Sequence, residues 1–209
     1  MSYIGKKFPN INLNSVTSDS KESIVNLSKP PNKTLLFFYP MDFTYVCPTE
    51  LHAFQNQLGE FEKRGISVYG TSCDTIQVHL AWLKTPISRG GVEGITFPLI
   101  SDTTRILSKR LQILDEQDVS YRATYLIDEN GKVFYESIND MPIGRNINEF
   151  IRIIDAKHHN EKFGEVCPAN WKLGKKAMEE SNAGVIKYFS IKSRILTILK
   201  SNKKNEKVN

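Results

Sequence analysis

The residues best suited to chemistry are three cysteines, Cys47, Cys73 and Cys167, spread over 209 residues. Cys47 lies in the string Tyr39-Pro40-Met41-Asp42-Phe43-Thr44-Tyr45-Val46-Cys47-Pro48-Thr49-Glu50, between an apolar run closed by Pro40 and a helical pattern that begins at Pro48. A thiol in the first turn of a helix faces unsatisfied backbone N–H groups and the positive end of the helix dipole. Both favour the thiolate, which is the nucleophilic form of sulfur. The competing reading is a small buried side chain that merely fills the helix end, as free cysteines commonly do. Position alone leaves both open.

The other candidates are weaker. Cys73 falls just beyond a run of strand character, Ile66 to Ser72, and is read as a packing residue. No two cysteines form a C-x-x-C pair, so neither a zinc knuckle nor a thioredoxin-type dithiol can be read from the spacing. Three cysteines so far apart are also too few for a disulfide-stapled secreted scaffold. His158 and His159 are adjacent at a helix end, where neighbours do not share a face, and no metal site is expected there.

The elements that must position Cys47 can be traced along the chain. Thr34 to Tyr39 is a continuous apolar and aromatic run after Pro30-Pro31, which suits a strand buried on both faces. Leu51, Phe54, Leu58 and Phe61 then recur at three- and four-residue steps up to Gly65, which predicts one amphipathic helix with Pro near its start and Gly past its end. Ile66 to Ser72 reads as a second strand and Thr75 to Leu83 as a second helix, completing a βαβ unit with parallel pairing. Gly90, Gly91 and Gly94 mark a loop before a short strand, Phe97 to Ile100. Thr103 to Leu111 is expected to be helical with Asp102 as its N-cap. Tyr121 to Ile127 and Lys132 to Ile138, joined through Asp-Glu-Asn-Gly, read as a hairpin. Ile147, Phe150, Ile151 and Ile154 predict a closing helix over Asn146 to Ala156. Beyond about Glu161 the chain turns polar and less periodic, like an arm.

The string around Cys47 resembles the peroxidatic loop of typical two-cysteine peroxiredoxins, P-x-x-x-T-x-x-C in the fuller form F-Y-P-x-D-F-T-x-V-C-P-T-E. This class includes the alkyl hydroperoxide reductase C proteins and the thioredoxin peroxidases. The likeness extends to Thr71-Ser72-Cys73-Asp74-Thr75, to H-L-A-W at His79 to Trp82 and to F-P-L-I-S-D at Phe97 to Asp102. It continues through Y-R-A-T-Y-L-I-D at Tyr121 to Asp128, G-E-V-C-P-A-N-W at Gly164 to Trp171, and Tyr188-Phe189. The resemblance implies a thioredoxin-like α/β fold, a central mixed sheet flanked by helices with a C-terminal arm. It implies a body over 1–160, an arm over 161–189 and a basic tail over 190–209.

It also implies roles. Cys47 would attack one peroxide oxygen. Thr44 would hold the substrate with its hydroxyl, Pro40 would limit water, and Arg122 would sit beside the sulfur as a permanent cation. Glu50 and Arg145 would orient Arg122 and the loop. Cys167 would condense with the Cys47 sulfenic acid, normally across two subunits, as an intermolecular disulfide. Because bridged Cα atoms lie about 4.4–6.8 Å apart, the turn that holds Cys47 would have to unwind. Relatives sensitive to over-oxidation carry G-G-L-G together with a C-terminal Y-F. Here Tyr188-Phe189 is present but the loop reads Gly90-Gly91-Val92-Glu93, which implies intermediate sensitivity.

No metal, haem or flavin is needed, since the sulfur does the chemistry. Electrons would come from thioredoxin or a dedicated flavoprotein disulfide reductase. Homodimers, in rings of five where they assemble further, would be the working state. A holdase chaperone role of the oligomer is the alternative, and a dithiol oxidoreductase is disfavoured by the missing C-x-x-C.

Composition limits the rest. With 40% apolar residues the chain can bury a real core, which excludes a disordered protein. The first twenty residues show no apolar signal segment, and no run approaches the ~18 residues of a membrane span, so a cytoplasmic protein is expected. The net charge of +5 sits at one end: residues 190–209 hold six Lys or Arg against Glu206, and the other 189 residues carry 22 basic and 22 acidic side chains. A nucleic-acid-binding body is therefore not expected. Ile191, Ile195, Ile198 and Leu199 could line one face of a short helix, although a frayed tail is the plainer expectation.

Overall fold

The computed structural model describes residues 2–190, and the helix and tail expectations beyond Ser190 lie outside them. The chain divides into two compact units, Met1–Ile147 and Asn148–Asn209. The first unit is built on a seven-stranded mixed sheet. Its strands are β1 (Leu13–Val16), β2 (Glu22–Val25), β3 (Lys33–Phe38), β4 (Ile66–Ser72), β5 (Leu99–Ser101), β6 (Arg122–Ile127) and β7 (Val133–Asn139), in the order β2-β1-β5-β4-β3-β6-β7. The three central strands β5, β4 and β3 run parallel, and every other pairing is antiparallel. Helices α1 (Cys47–Asn56) and α2 (Leu58–Glu62) connect β3 to β4, α3 (Ile76–Leu83) follows β4, and α4 (Ile106–Leu111) follows β5.

The apolar run of β3 is buried throughout from Thr34 to Phe38, as a strand covered on both faces must be. Phe37 stacks on Phe54 of α1 at 4.0 Å between ring centroids and meets Phe97 edge-on at 5.7 Å, while Phe38 meets Tyr125 at 6.0 Å. Gly70 in β4 has a packing reason: a Cβ there would stand 2.9 Å from the Phe37 ring. Leu36, Phe38, Ile100, Leu107, Leu111 and Tyr125 belong to the core cluster of this unit.

Three details differ from the sequence expectations. The hairpin of β1 and β2 was not expected, because Asn14, Ser15, Glu22 and Ser23 break up its apolar pattern. The single helix expected up to Gly65 is broken at Gln57 (φ −104°, ψ 5°), and the apolar period carries straight across that break. Helix α4 begins three residues late because Arg105 adopts φ +58°. Asp102 still caps it from a distance, accepting from the backbone N–H of Leu107 (3.2 Å) and Ser108 (2.8 Å). Thr75 does the same for α3, accepting from the Val78 N–H.

The second unit carries α5 (Ile147–Phe163), which runs seven residues beyond the expected Ala156, and helical turns over 182–190. Between them Val166 and Met178 pair as an isolated antiparallel bridge. Trp171 is 2% exposed, with its indole N–H on the Lys175 carbonyl. Among the described residues no helix is long and apolar enough to cross a membrane.

Candidate active site

Cys47 is the first residue of α1 and is fully buried. It is reached from the end of β3 through a loop held by polar pegs. The Tyr39 hydroxyl donates to Asp42 at 2.8 Å, and Asp42 faces Nδ1 of His79 at 2.7 Å. His79 Nε2–H donates to the Ile100 carbonyl at 3.2 Å, and the Asp42 N–H donates to Asp74 at 2.9 Å. A backbone carbonyl only accepts, so Nε2 carries a proton and Nδ1 shares the other with the carboxylate. Burial pushes the Asp42 carboxyl up from its ordinary value, with the hydrogen bond from His79 opposing it. Burial, reinforced by Asp42, also raises the Tyr39 hydroxyl well above its ordinary value and so keeps it a donor. Phe43, in the middle of the loop, takes φ +55° and packs its ring 5.9 Å from that of the buried Trp82.

The mouth of α1 converges with two arginines. Arg122, the first residue of β6, places Nη1 3.3 Å from the Cys47 sulfur and 2.8 Å from Glu50 Oε2, with Nε on the Met141 carbonyl at 2.7 Å. Arg145 grips the same carboxylate through its backbone N–H, its Nε and its Nη2 at 3.0, 2.9 and 2.8 Å. Its Nη1 donates to the carbonyls of Phe38 and Ala123, and its guanidinium lies over the Phe37 ring at 5.1 Å. Burial pulls the Arg145 guanidinium below its ordinary value; Glu50 opposes that and Arg122 adds to it. One buried carboxylate therefore locates two buried cations, one of which touches the sulfur. Local sequence explains the entry: Val46 offers no side-chain cap and Pro48 needs no N–H partner in the first turn. Pro48 has no N–H and the Glu50 N–H bonds to the Val46 carbonyl at 3.3 Å, so the N–H groups of Cys47 and Thr49 remain at the mouth of α1.

Cys47, Glu50, Arg122 and Arg145 are thus brought together. Thr44 lies in the same loop, half-buried, and its hydroxyl donates to the Met41 carbonyl at 2.8 Å. That bond commits the proton and leaves the oxygen as an acceptor. Pro40 is half-buried at the end of β3. Cys73 is half-buried too, and burial, with Asp102 adding to it, raises its thiol above the ordinary value. Tyr39, Asp42 and His79 were assigned no role from the sequence. The available signal was His79 on the buried stripe of α3, with Ile76 and Leu83.

In the second unit Cys167 is half-buried beside the Val166–Met178 bridge, with its thiol 3.6 Å from the Ala156 carbonyl. Burial pushes its thiol up, with Arg152 opposing and Glu165 adding. His159 is engaged by the Glu165 carboxylate at 2.8 Å and by the rings of Phe163 and Trp171.

Comparison with known proteins shows the family and the fold. The AhpC/TSA family profile matches residues 4–136, and a profile for the C-terminal domain of 1-Cys peroxiredoxin matches residues 156–190. Alkyl hydroperoxide reductase C of Helicobacter pylori is 43% identical over 182 residues, covering 87% of this chain and 91% of its own length. Peroxiredoxin-1 of Gekko japonicus is 40% identical over 190 residues, covering 90% and 96%. Among solved structures, the reduced 2-Cys peroxiredoxin of Plasmodium vivax superposes with a TM-score of 0.88 at 43% identity, over 91% of this chain and 100% of that one.

Proposed function

This chain belongs to the AhpC/TSA family and is a thiol-dependent peroxidase of thioredoxin-like fold, and from that premise we propose that Cys47 is its peroxidatic sulfur and Cys167 its resolving one. The observation that carries the reading is the Arg122 Nη1, 3.3 Å from a fully buried sulfur at a helix N-terminus.

The Cys47 thiolate attacks the nearer oxygen of a hydroperoxide, the O–O bond breaks, and the alkoxide or hydroxide leaves and takes up a proton. Arg122 and the first-turn N–H groups of Cys47 and Thr49 face the charge as it passes from sulfur to oxygen. Thr44 accepts the peroxide O–H, Pro40 keeps water from the sulfur, and Glu50 with Arg145 fixes the plane of the Arg122 fork. Cys47 sulfenic acid and the Cys167 thiol of a partner subunit then form a disulfide and release water.

Hydrogen peroxide and organic hydroperoxides are the substrates. Thioredoxin or a flavoprotein disulfide reductase returns the disulfide to two thiols in a reducing, cytoplasm-type compartment. A homodimer, further assembled as a ring, is the working unit. The matched C-terminal profile is named for 1-Cys enzymes, but its span here includes Cys167, and the Plasmodium vivax relative is named as a 2-Cys enzyme. Relatives named as reductases favour the peroxidase over the holdase reading.

One equivalent of peroxide followed by a non-reducing gel tests the pair. A dimer band is expected, and it disappears in both Cys47→Ser and Cys167→Ser. A band that survives either substitution overturns the pairing. Because burial holds the Cys167 thiol up, its thiolate fraction climbs with pH through the neutral range. Disulfide formation from preformed sulfenic acid is therefore expected to accelerate about tenfold per unit from pH 6 to 8. Quenched-flow gels measure it, and a flat profile contradicts a thiol resolving step at this residue.

A further inference from the structure

The antiparallel ladder of β6 and β7 ends where Arg122 pairs with Asn139. From Asn139 the chain makes a short loop over 140–145 and comes back to α1. Two points of this loop hold the charged groups of the site. The Met141 carbonyl accepts from Arg122 Nε at 2.7 Å, and the Arg145 backbone N–H donates to Glu50 Oε1 at 3.0 Å. The loop also lies against the entry to α1: a Cβ at Gly144 would stand 3.5 Å from Val46 Cγ1 and 4.0 Å from Glu50 Oε1.

The position of the Met141 carbonyl depends on how the loop is tied down. The Met141 N–H bonds to Asp140 Oδ1 at 2.8 Å and the Ile143 N–H to the Asp140 carbonyl at 3.1 Å, both inside the loop, and Pro142 between them has no N–H to offer. The half-buried Asn139 ties the loop to the ladder. Its Nδ2 donates to the Ile143 carbonyl at 3.2 Å and to the Gly144 carbonyl at 3.4 Å. The turn that carries Met141 is thus closed on the residue opposite Arg122. A guanidinium is a rigid plane, so a bond at Nε fixes where Nη1 points. We propose that Asn139 is a positioning residue for peroxide reduction: by closing the 140–145 loop it holds the Met141 carbonyl against Arg122 Nε and so aims Nη1 at the Cys47 sulfur. Its amide bonds to loop backbone, so it acts through Arg122 and not on the sulfur. This deepens the peroxidase reading and rests on it.

The test measures the bimolecular rate of Cys47 oxidation by hydrogen peroxide in the reduced full-length protein, by stopped-flow fluorescence, and treats Asn139 and Arg122 as a double-mutant cycle. Asn139→Ala is expected to slow this step about fivefold, the worth of one ordinary hydrogen bond. Asn139→Leu keeps the volume, donates nothing and slows it equally; if one of the two fails to fold, the other carries the comparison. In the Arg122→Met background the same change at Asn139 alters the rate by less than about twofold, because the group it aims is gone. A merely structural loss would persist in that background. A parent-like rate in Asn139→Ala or Asn139→Leu, or a fivefold loss that survives beside Arg122→Met, overturns the positioning role. Absence of Cys47 oxidation from the parent protein, or Arg122→Met as fast as the parent, overturns the peroxidase reading instead.

Discussion

Arg122→Met is expected to slow oxidation of Cys47 by hydrogen peroxide about 10²–10³-fold, the usual cost of removing one preorganised donor from developing charge. The expectation follows from three features that coincide at this residue. The guanidinium is 4% exposed, so its field is little screened by water. Its Nη1 is within reach of the sulfur and fixed by Glu50 at 2.8 Å, and its Nε is fixed by the Met141 carbonyl. The donor therefore needs no reorganisation when the O–O bond breaks. Methionine keeps an unbranched, apolar volume, and Glu50 keeps Arg145 as a partner, so the fold survives. Arg122→Lys keeps a charge but cannot hold sulfur, carboxylate and carbonyl from one planar fork, and it falls between the two. Stopped-flow fluorescence gives the rate constant directly. A folded Arg122→Met protein within tenfold of the parent would contradict the assigned role.

The second large effect is on stability. Glu50→Gln leaves two guanidiniums buried side by side, with side-chain exposures of 4% and 1%, and no anion between them. Removing one partner of a buried ion pair costs about 3–5 kcal/mol, because the remaining charge stays desolvated. In a chain of this size that corresponds to a fall in Tm of about 10 °C. Glu60→Gln is the matched control. It also removes a carboxylate bound to two cations, Lys63 and Arg64, but its side chain is 40% exposed and screened by water, and the urea midpoint is expected to stay close to that of the parent. Urea denaturation of the reduced proteins compares them. Equal losses at the two positions would mean that the Glu50 cluster is not energetically buried.

The sequence carried those parts of the fold whose signal is a side-chain period. Leu35 to Phe38 is apolar at every position and lies in one of the three central strands; Leu51, Phe54 and Phe61 repeat at helical spacing and are buried. It was silent wherever backbone geometry or a distant partner decides. Nothing in the repeat of Leu51, Phe54, Leu58 and Phe61 marks the break at Gln57, since those positions keep facing one way across it. Nothing before Ile106 signals that Arg105 turns left-handed. The site divides in the same way. Cys47 stands out by its place between a strand and a prolyl helix start. Arg122 and Arg145 are ordinary charges in the string and gain meaning only where Glu50, 72 and 95 residues earlier, meets them. The Tyr39–Asp42–His79 chain is of the same kind: three polar residues whose burial makes sense only once all three are seen together.

The double grip on Glu50 also sets a length. If that carboxylate stays where the arginines hold it, Cys47 swings on a leash of three residues, and an extended chain spans at most about 3.6 Å per residue. Its Cα can then stray no more than roughly 11 Å from that of Glu50, and a disulfide adds about 6 Å. Any thiol that resolves this enzyme must therefore be delivered to within about 17 Å of the Glu50 Cα. The radius is drawn by an ion pair that takes no part in the bond being made.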